Sequence, residues 1–178
     1  MIYLFLENGF EEIEAAAPID ILRRAGAELK TVGEGGRAVV SARGVTVMAD
    51  LEESGVSLGN MEMAILPGGP GTQNHEQSHT ACDALRFCAE NDRYIGAICA
   101  APSVLGHLGL LHGHDAVCYP GYEDELGAKH VLHDPVCVSG KIITARGAGV
   151  AVEFALKLVE VLYGAQKALE IRKSIQCV

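Results

Sequence analysis

Tyr94-Ile-Gly-Ala-Ile-Cys99-Ala-Ala-Pro-Ser103 passes without a break from an apolar strand into a helix start. Tyr94–Ile98 is apolar at nearly every position, the pattern of a strand buried on both faces, and helical periodicity resumes over about 101–111. A cysteine at that junction sits on a sharp turn. Such a turn tolerates only small residues two places away, and Ala97 and Ala101 supply them. The turn aims the first N–H groups of the following helix at the sulfur. Those groups and the helix dipole favour thiolate, which predicts a lowered pKa for Cys99, and they can also hold a developing oxyanion.

The same alternation extends outward in both directions. Ile2–Leu6 reads as a buried strand, followed by a helix over about 10–25 that stops at Gly26. Strands are expected at 28–33, 38–40, 45–48 and 63–66, with a short helix or loop at 52–60. Past a helix at 80–91 and the Cys99 turn come a strand at 116–119 and a hairpin of 136–139 with 141–145 around Gly140. A helix at 150–163 ends at Gly164, and a last helical stretch, 165–173, is expected outside the core. This order predicts an α/β fold with a mostly parallel sheet covered on both faces. Sites in such sheets form at the C-terminal ends of strands, here Glu7–Glu14, Pro67–Gly71 and Cys99–Pro102.

The 178 residues suit one domain, 1–178, with 165–178 as a C-terminal helical extension. The net charge of −9, with no Lys/Arg-rich run, argues against nucleic-acid and anionic-membrane partners. The apolar start is five residues long and lacks a basic lead, so neither a signal peptide nor a membrane span is expected and the location is read as cytoplasmic. Six cysteines include no CxxC pair, which predicts free thiols and no zinc site. His130 and His133 would face together only on a helix, and no HExxH occurs, so no metal site is assigned. His112 and His114 flank a loop glycine and read as solvated.

Helical phasing of residues 10–25 places Phe10, Ile13, Ala17 and Ile21 on one face, with Glu14 inside that stripe and Glu11 and Glu12 pointing away. A carboxylate on a core-facing stripe must be protonated or paired, and its raised pKa suits a general acid/base near neutral pH. Leu66-Pro-Gly-Gly-Pro-Gly71 has neither dinucleotide spacing nor a Walker lysine. It reads as a tight turn offering an open backbone N–H, from Gly68 or Gly69, to the cysteine pocket. Arg43 and Arg146 stand beside glycines at strand ends and are candidates for contacts to anions or oxidised sulfur.

These pieces, in order, resemble the ThiJ/PfpI superfamily, nearest the branch of the parkinsonism-associated deglycase and its bacterial relatives. The resemblance is carried by Gly9-Phe-Glu-Glu-Ile-Glu14, Pro18–Gly26, Leu66–Gly69, Ala97–Pro102, and Thr144–Gly149 leading into Glu153-Phe-Ala-Leu156. It implies a flavodoxin-like three-layer sandwich and a homodimer. It implies a nucleophilic, oxidisable Cys99 hydrogen-bonded to a largely protonated Glu14, with the Gly69 and Ala100 amides around the pocket and Arg43 and Arg146 toward its dimer side. Two departures stand out. Protease-like members carry histidine after the cysteine, where this chain has Ala100, which argues against a Cys-His peptidase. The deglycase branch often has His-Pro where this chain has Tyr119-Pro120, and a tyrosine of pKa near ~10 is a poor base at neutral pH. The implied activity is a cofactor-independent, glutathione-independent glyoxalase or deglycase acting on 2-oxoaldehydes or early glycation adducts. The alternative is a redox-responsive protein in which Cys99 oxidises to sulfinate, with a chaperone or oxidative-stress role. For the homodimer, Ala15, Ile19 and Leu22 are read as a second apolar strip on the side of the first helix opposite Phe10, Ala17 and Ile21.

Overall fold

The computed structural model describes residues 1–177; Val178, the end of the expected C-terminal extension, lies outside the described residues. Five strands, β1 (Ile2–Leu6), β2 (Leu29–Gly33), β6 (Met63–Leu66), β7 (Tyr94–Ile98) and β11 (Ile142–Ala145), form the body of a sheet edged by β5 (Leu51–Glu52) and β10 (Val136–Ser139). Its order is β10-β11-β7-β6-β1-β2-β5, parallel throughout except for the β10–β11 hairpin. Separate two-stranded pieces are β3 (Ala38–Val40) with β4 (Thr46–Met48), and β8 (Asp115–Ala116) with β9 (His130–Val131).

Burial on both faces follows from the pleat. Ile2, Leu4 and Leu6 of β1 join one core with helices α1 (Glu12–Arg24), α4 (Ala151–Tyr163) and α5 (Ala165–Ser174). Tyr3 and Phe5 point the other way, into a core with α2 (His79–Glu90) and α3 (Pro102–His107). The three-layer α/β arrangement read from the sequence is therefore present. Both β2 and β6 flank β1, so the chain reverses direction across the sheet there, and the strand ends on that rim are where a parallel sheet opens a crevice.

Several local readings are corrected. On α1 the buried face is Glu14, Ala15, Pro18, Ile21 and Leu22, while Ile13 is 54% exposed and Ala17 half-buried. Ala15 and Leu22 are thus core residues and not an outer strip, because both sheet and α4 pack on this helix. The terminal helix α5 is not outside the core, since Ala168 and Ile171 bury against α4 and its neighbours. Residues 51–60 hold a short edge strand and two single turns of 3-10 helix. The 116–119 strand is only Asp115–Ala116, and His130 lies on β9, a strand and not a helix.

Candidate active site

Four adjacent strands, β11, β7, β6 and β1, release their chains at one rim, and each release contributes to one cluster. After β7 comes Cys99, whose φ of 67° puts a non-glycine residue in the left-handed region. That strain is held on both sides: Cys99 N donates to Ala145 O of β11 at 2.9 Å, and Tyr119 N donates to Cys99 O at 2.7 Å.

After β1 the chain turns into α1. Glu11 caps this helix, its carboxylate accepting from Glu14 N at 2.9 Å, which places Glu14 in the first turn facing inward. After β6, Gly68 completes the lock. Gly68 O accepts from Glu11 N at 2.8 Å, and Gly68 N donates to Glu14 Oε2 at 2.9 Å. Gly68 has to be glycine, because a Cβ there would lie 2.6 Å from Cys99 Cβ and 2.7 Å from Glu14 Oε2. Gly69, at φ +113°, has no room either: its Cβ would meet Gly9 O at 2.4 Å.

Glu14 is 1% exposed, and Cys99 is half-buried beside it. Burial pushes the Glu14 carboxyl up to about 7, against the pull of the neighbouring Cys99 thiol and the Gly68 and Ala148 backbone. Burial, and then the Glu14 charge, push the Cys99 thiol up to about 12, while the Ala100 and Gly69 amides pull it down. The lowered thiol pKa expected from the sequence is therefore overturned. The helix meant to lower it, α3, runs only from Pro102 to His107 instead of about 101–111. A helix terminus is worth about 0.3–1 kcal/mol at most surfaces, too little to offset burial beside a carboxylate. While Glu14 is charged the proton stays on sulfur, and a thiolate forms by passing that proton to Glu14.

Of the other residues picked out in the sequence, Gly68, Gly69 and Ala100 surround the pair. Tyr119 and Pro120 line an adjoining cleft of about 450 Å³ together with Arg146 and Gly147. The Tyr119 ring is 50% exposed and flanks Gly147, with Cδ2 3.4 Å from where a Gly147 Cβ would be. Arg146 lies on the cleft wall, its guanidinium donating to His133 O at 3.3 Å. Arg43 is held elsewhere: its N donates to Glu12 Oε1 at 2.7 Å and its Nη1 to Ala42 O, on the outer side of α1. The sequence reading missed Gly147 and Ala148 as pocket residues. A Gly147 Cβ would sit 3.8 Å from Glu14 Oε1 and 3.9 Å from Cys99 Sγ, and the Ala148 backbone is near enough to Glu14 to lower its pKa. Their only sequence signal is a Gly-rich strand end, and it becomes informative once β11 is known to lie beside β7. Among the described residues no group of three or more His, Cys, Asp or Glu could hold a metal ion.

The model of the DJ-1/PfpI family matches residues 1–161. The chain belongs to this family. This DJ-1/PfpI chain is 36% identical over 176 residues to protein dj-1beta of Drosophila melanogaster, covering 97% of the chain and 94% of the relative. It is 34% identical over 170 residues to the glutathione-independent glyoxalase DJR-1.2 of Caenorhabditis elegans, covering 93% and 89%. The solved structure of oxidized Toxoplasma gondii DJ-1 superposes with a TM-score of 0.94 at 39% identity, covering 98% of this chain and 97% of that one. The flavodoxin-like architecture expected from the sequence is that of the family. No helix among the described residues is long and apolar enough to cross a membrane.

Proposed function

We propose that this DJ-1/PfpI chain converts small 2-oxoaldehydes to 2-hydroxy acids, methylglyoxal to lactate and glyoxal to glycolate, without glutathione or another cofactor. The observation that carries the reading is the half-buried Cys99 set beside the buried Glu14, with Gly68 N–H fixing one carboxylate oxygen and leaving the other toward sulfur. The C. elegans relative named a glutathione-independent glyoxalase agrees with it.

Sulfur adds to the aldehyde carbon as the thiol proton passes to Glu14, and the former carbonyl oxygen takes up a proton to complete a hemithioacetal. The Ala100 and Gly69 amides, which face the sulfur, lie where they can steady charge developing there. Glu14, again a carboxylate, removes the hydrogen from the carbon bonded to sulfur and returns a proton to the neighbouring carbon. The product is a thioester of the hydroxy acid, which water cleaves to acid and thiol. The net change is addition of one water with internal transfer of hydrogen, so no external oxidant or reductant is consumed. The deciding experiment incubates purified protein with methylglyoxal in glutathione-free buffer and follows lactate. Formation that disappears in Cys99→Ser supports the reading, and absence of lactate rejects it. Early glycation adducts of amines present the same carbonyl chemistry and form the second substrate class within this proposal.

Tyr119 tests how much the usual histidine position matters here. Its hydroxyl makes no hydrogen bond to another described residue, and its ring acts as a wall of the cleft. Tyr119→Phe is expected to keep turnover within about tenfold of wild type, at or below the low end of a general acid's contribution. A loss of several orders of magnitude in kcat would instead assign the hydroxyl a proton-transfer role.

A second reading has its own observation. The Gly69 and Ala100 amides stand near enough to Cys99 to pull its thiol pKa down, and that cradle suits a sulfinate. Two equivalents of peroxide would take the thiolate through sulfenate to sulfinate, releasing water at each step. Of the six free cysteines only Cys99 and Cys177 are not buried, so mass spectrometry after limited peroxide is expected to find oxygen on Cys99 first. Oxidation of Cys177 with Cys99 untouched would remove this reading.

We also infer a homodimer through α1 and the β3–β4 hairpin. Ile13, Val45 and Met48 are exposed, and an apolar cleft of about 150 Å³ runs between Ala16 and Ile19 of α1, with Phe10 just before it, and Val45 and Val47 of the β3–β4 hairpin. The exposed strip thus centres on Ile13 and Ala16, with Ile19 half-buried, and not on Ala15 and Leu22. A two-fold contact would place each substituted residue twice in the interface. Ile13→Glu is expected to shift sedimentation from dimer to monomer while leaving the circular dichroism unchanged. A wild-type protein that sediments as a monomer at micromolar concentration ends this proposal.

A further inference from the structure

The cleft beside Cys99 is larger and more apolar than a three-carbon aldehyde requires. It encloses about 450 Å³, within the roughly 300–1,000 Å³ of sites that hold drug-sized ligands. Tyr119, Pro120, Pro135, Ala148 and Val150 line it, and Arg146 is the one charged residue on its wall among the described residues. Tyr119 is the anomaly. Its main chain is fixed to the nucleophile turn, Tyr119 N donating to Cys99 O at 2.7 Å, yet the residue is 50% exposed. An aromatic face left open inside a cleft is unused contact area. Gly147 shows what that face can reach. The point where its Cβ would stand lies 3.4 Å from Tyr119 Cδ2, 3.8 Å from Glu14 Oε1 and 3.9 Å from Cys99 Sγ. All three are van der Waals distances, and glycine carries no side chain to fill the point. A substrate atom there touches the sulfur, the carboxyl and the ring together.

Resting on the 2-oxoaldehyde chemistry proposed above, we infer that Tyr119 is a specificity-determining residue and that the preferred substrates are arylglyoxals, phenylglyoxal being converted to mandelate. The substituent on the ketone carbon stands next to the carbon that sulfur attacks. With the attacked carbon bonded to Cys99 Sγ, that substituent extends past the Gly147 point onto the Tyr119 ring. A methyl group uses little of this wall. A phenyl ring lies offset against Tyr119 and Pro120, and aromatic pairs gain from such contact beyond the area they bury. Arg146 is on the same wall, and a guanidinium packs on an aromatic face through the ring quadrupole. An alkyl chain of equal length gains area only. The chemistry is unchanged. Sulfur adds to the aldehyde, hydrogen moves to the ketone carbon and water releases the acid, so each phenylglyoxal takes up one water.

The test measures initial rates of mandelate and lactate formation by the full chain, before either aldehyde modifies guanidinium groups. Wild type should favour phenylglyoxal over methylglyoxal at least about tenfold in kcat/KM, the low end for added apolar bulk in a pocket. The two aldehydes differ in intrinsic reactivity, so the deciding quantity is the change in that ratio between variants, in which reactivity cancels. Tyr119→Ala should lower the ratio about tenfold, a change of about 1.4 kcal/mol. The loss should fall mainly on KM for phenylglyoxal, because the ring touches the substituent equally before and during reaction. Tyr119→Phe keeps the ring and should keep the ratio, which a role for the hydroxyl would not allow. Acetophenone, an aryl ketone with no aldehyde to react, probes the cleft without turnover. It should shift the Tyr119, Ala148 and Val150 amide signals saturably in wild type and more weakly in Tyr119→Ala, and acetone should not. Turnover of both aldehydes with the same ratio in wild type and Tyr119→Ala overturns the specificity role and leaves the glyoxalase reading intact. Saturable acetophenone shifts without turnover of either aldehyde overturn the glyoxalase reading and support the aryl subsite. Absence of saturable acetophenone shifts overturns the inference whichever way turnover falls.

Discussion

Glu14→Gln is expected to lower methylglyoxal turnover about a thousandfold, within the range for loss of a general acid/base, and to leave the chain folded. The amide fits the site as the carboxyl does. Its oxygen can accept from Gly68 N in place of Glu14 Oε2, and its NH2 can face Cys99 Sγ where Oε1 now lacks a partner. What it cannot do is take the thiol proton, so sulfur stays protonated at the moment of attack. The same substitution should remove the pH dependence of stability that this carboxyl contributes. The folded-state carboxyl titrates at about 7 against an ordinary value of 4.5, so the folded chain binds the proton more tightly than the unfolded chain. Its stabilising effect is complete below the lower value and is lost as pH rises through the upper one, by about 3 kcal/mol. Thermal melts of wild type and Glu14→Gln should therefore separate in favour of the variant as pH is raised from about 5 to about 8. Undiminished lactate formation by the folded variant would remove Glu14 from the chemistry.

The second large effect is expected at a residue with no side chain. Gly68→Ala would set a methyl group 2.6 Å from Cys99 Cβ, 2.7 Å from Glu14 Oε2 and 2.9 Å from Ile98 O. Two of those atoms belong to the reacting pair and the third is backbone, so the clash is relieved only by moving the site. A displacement near one ångström in reacting groups costs about a hundredfold in rate, and overpacking costs about 1–3 kcal/mol in stability. Both losses should appear together in kcat/KM and in the melting temperature. A modest drop in melting temperature with kcat/KM kept within a few-fold of wild type would show that the Glu14–Cys99 spacing tolerates more slack than this geometry implies.

Much of this arrangement was legible in the residues. Continuous apolar runs such as Ile2–Leu6 and Met63–Leu66 mark strands buried on both faces, because no polar side is left to meet water. Ala97, Cys99 and Ala101 mark the sharp turn, because its geometry excludes bulk on either side. Glu14 was identifiable because a carboxylate breaks an apolar stripe at helical spacing, and it is buried as that reading requires.

Other features were set by neighbours distant in sequence. Helical phasing alone left Ile13 facing the core and Ala15 and Leu22 facing out, and packing of α1 on both the sheet and α4 rotated that division. The direction of the Cys99 pKa shift depended on how long α3 runs and on how closely Glu14 approaches, neither of which is a local property. Gly147 and Ala148 joined the pocket only because β11 pairs with β7. The burial of Glu34 against His75, and the open cavity beside them, likewise came from bringing the ends of β1, β2 and β5 to one rim. The sequence by itself determined the layers and singled out Cys99 and Glu14, because hydrophobic period and turn sterics act over a few residues. Strand order decided which backbone amides and charges surround them, because parallel pairing joins segments whose proximity no local pattern encodes.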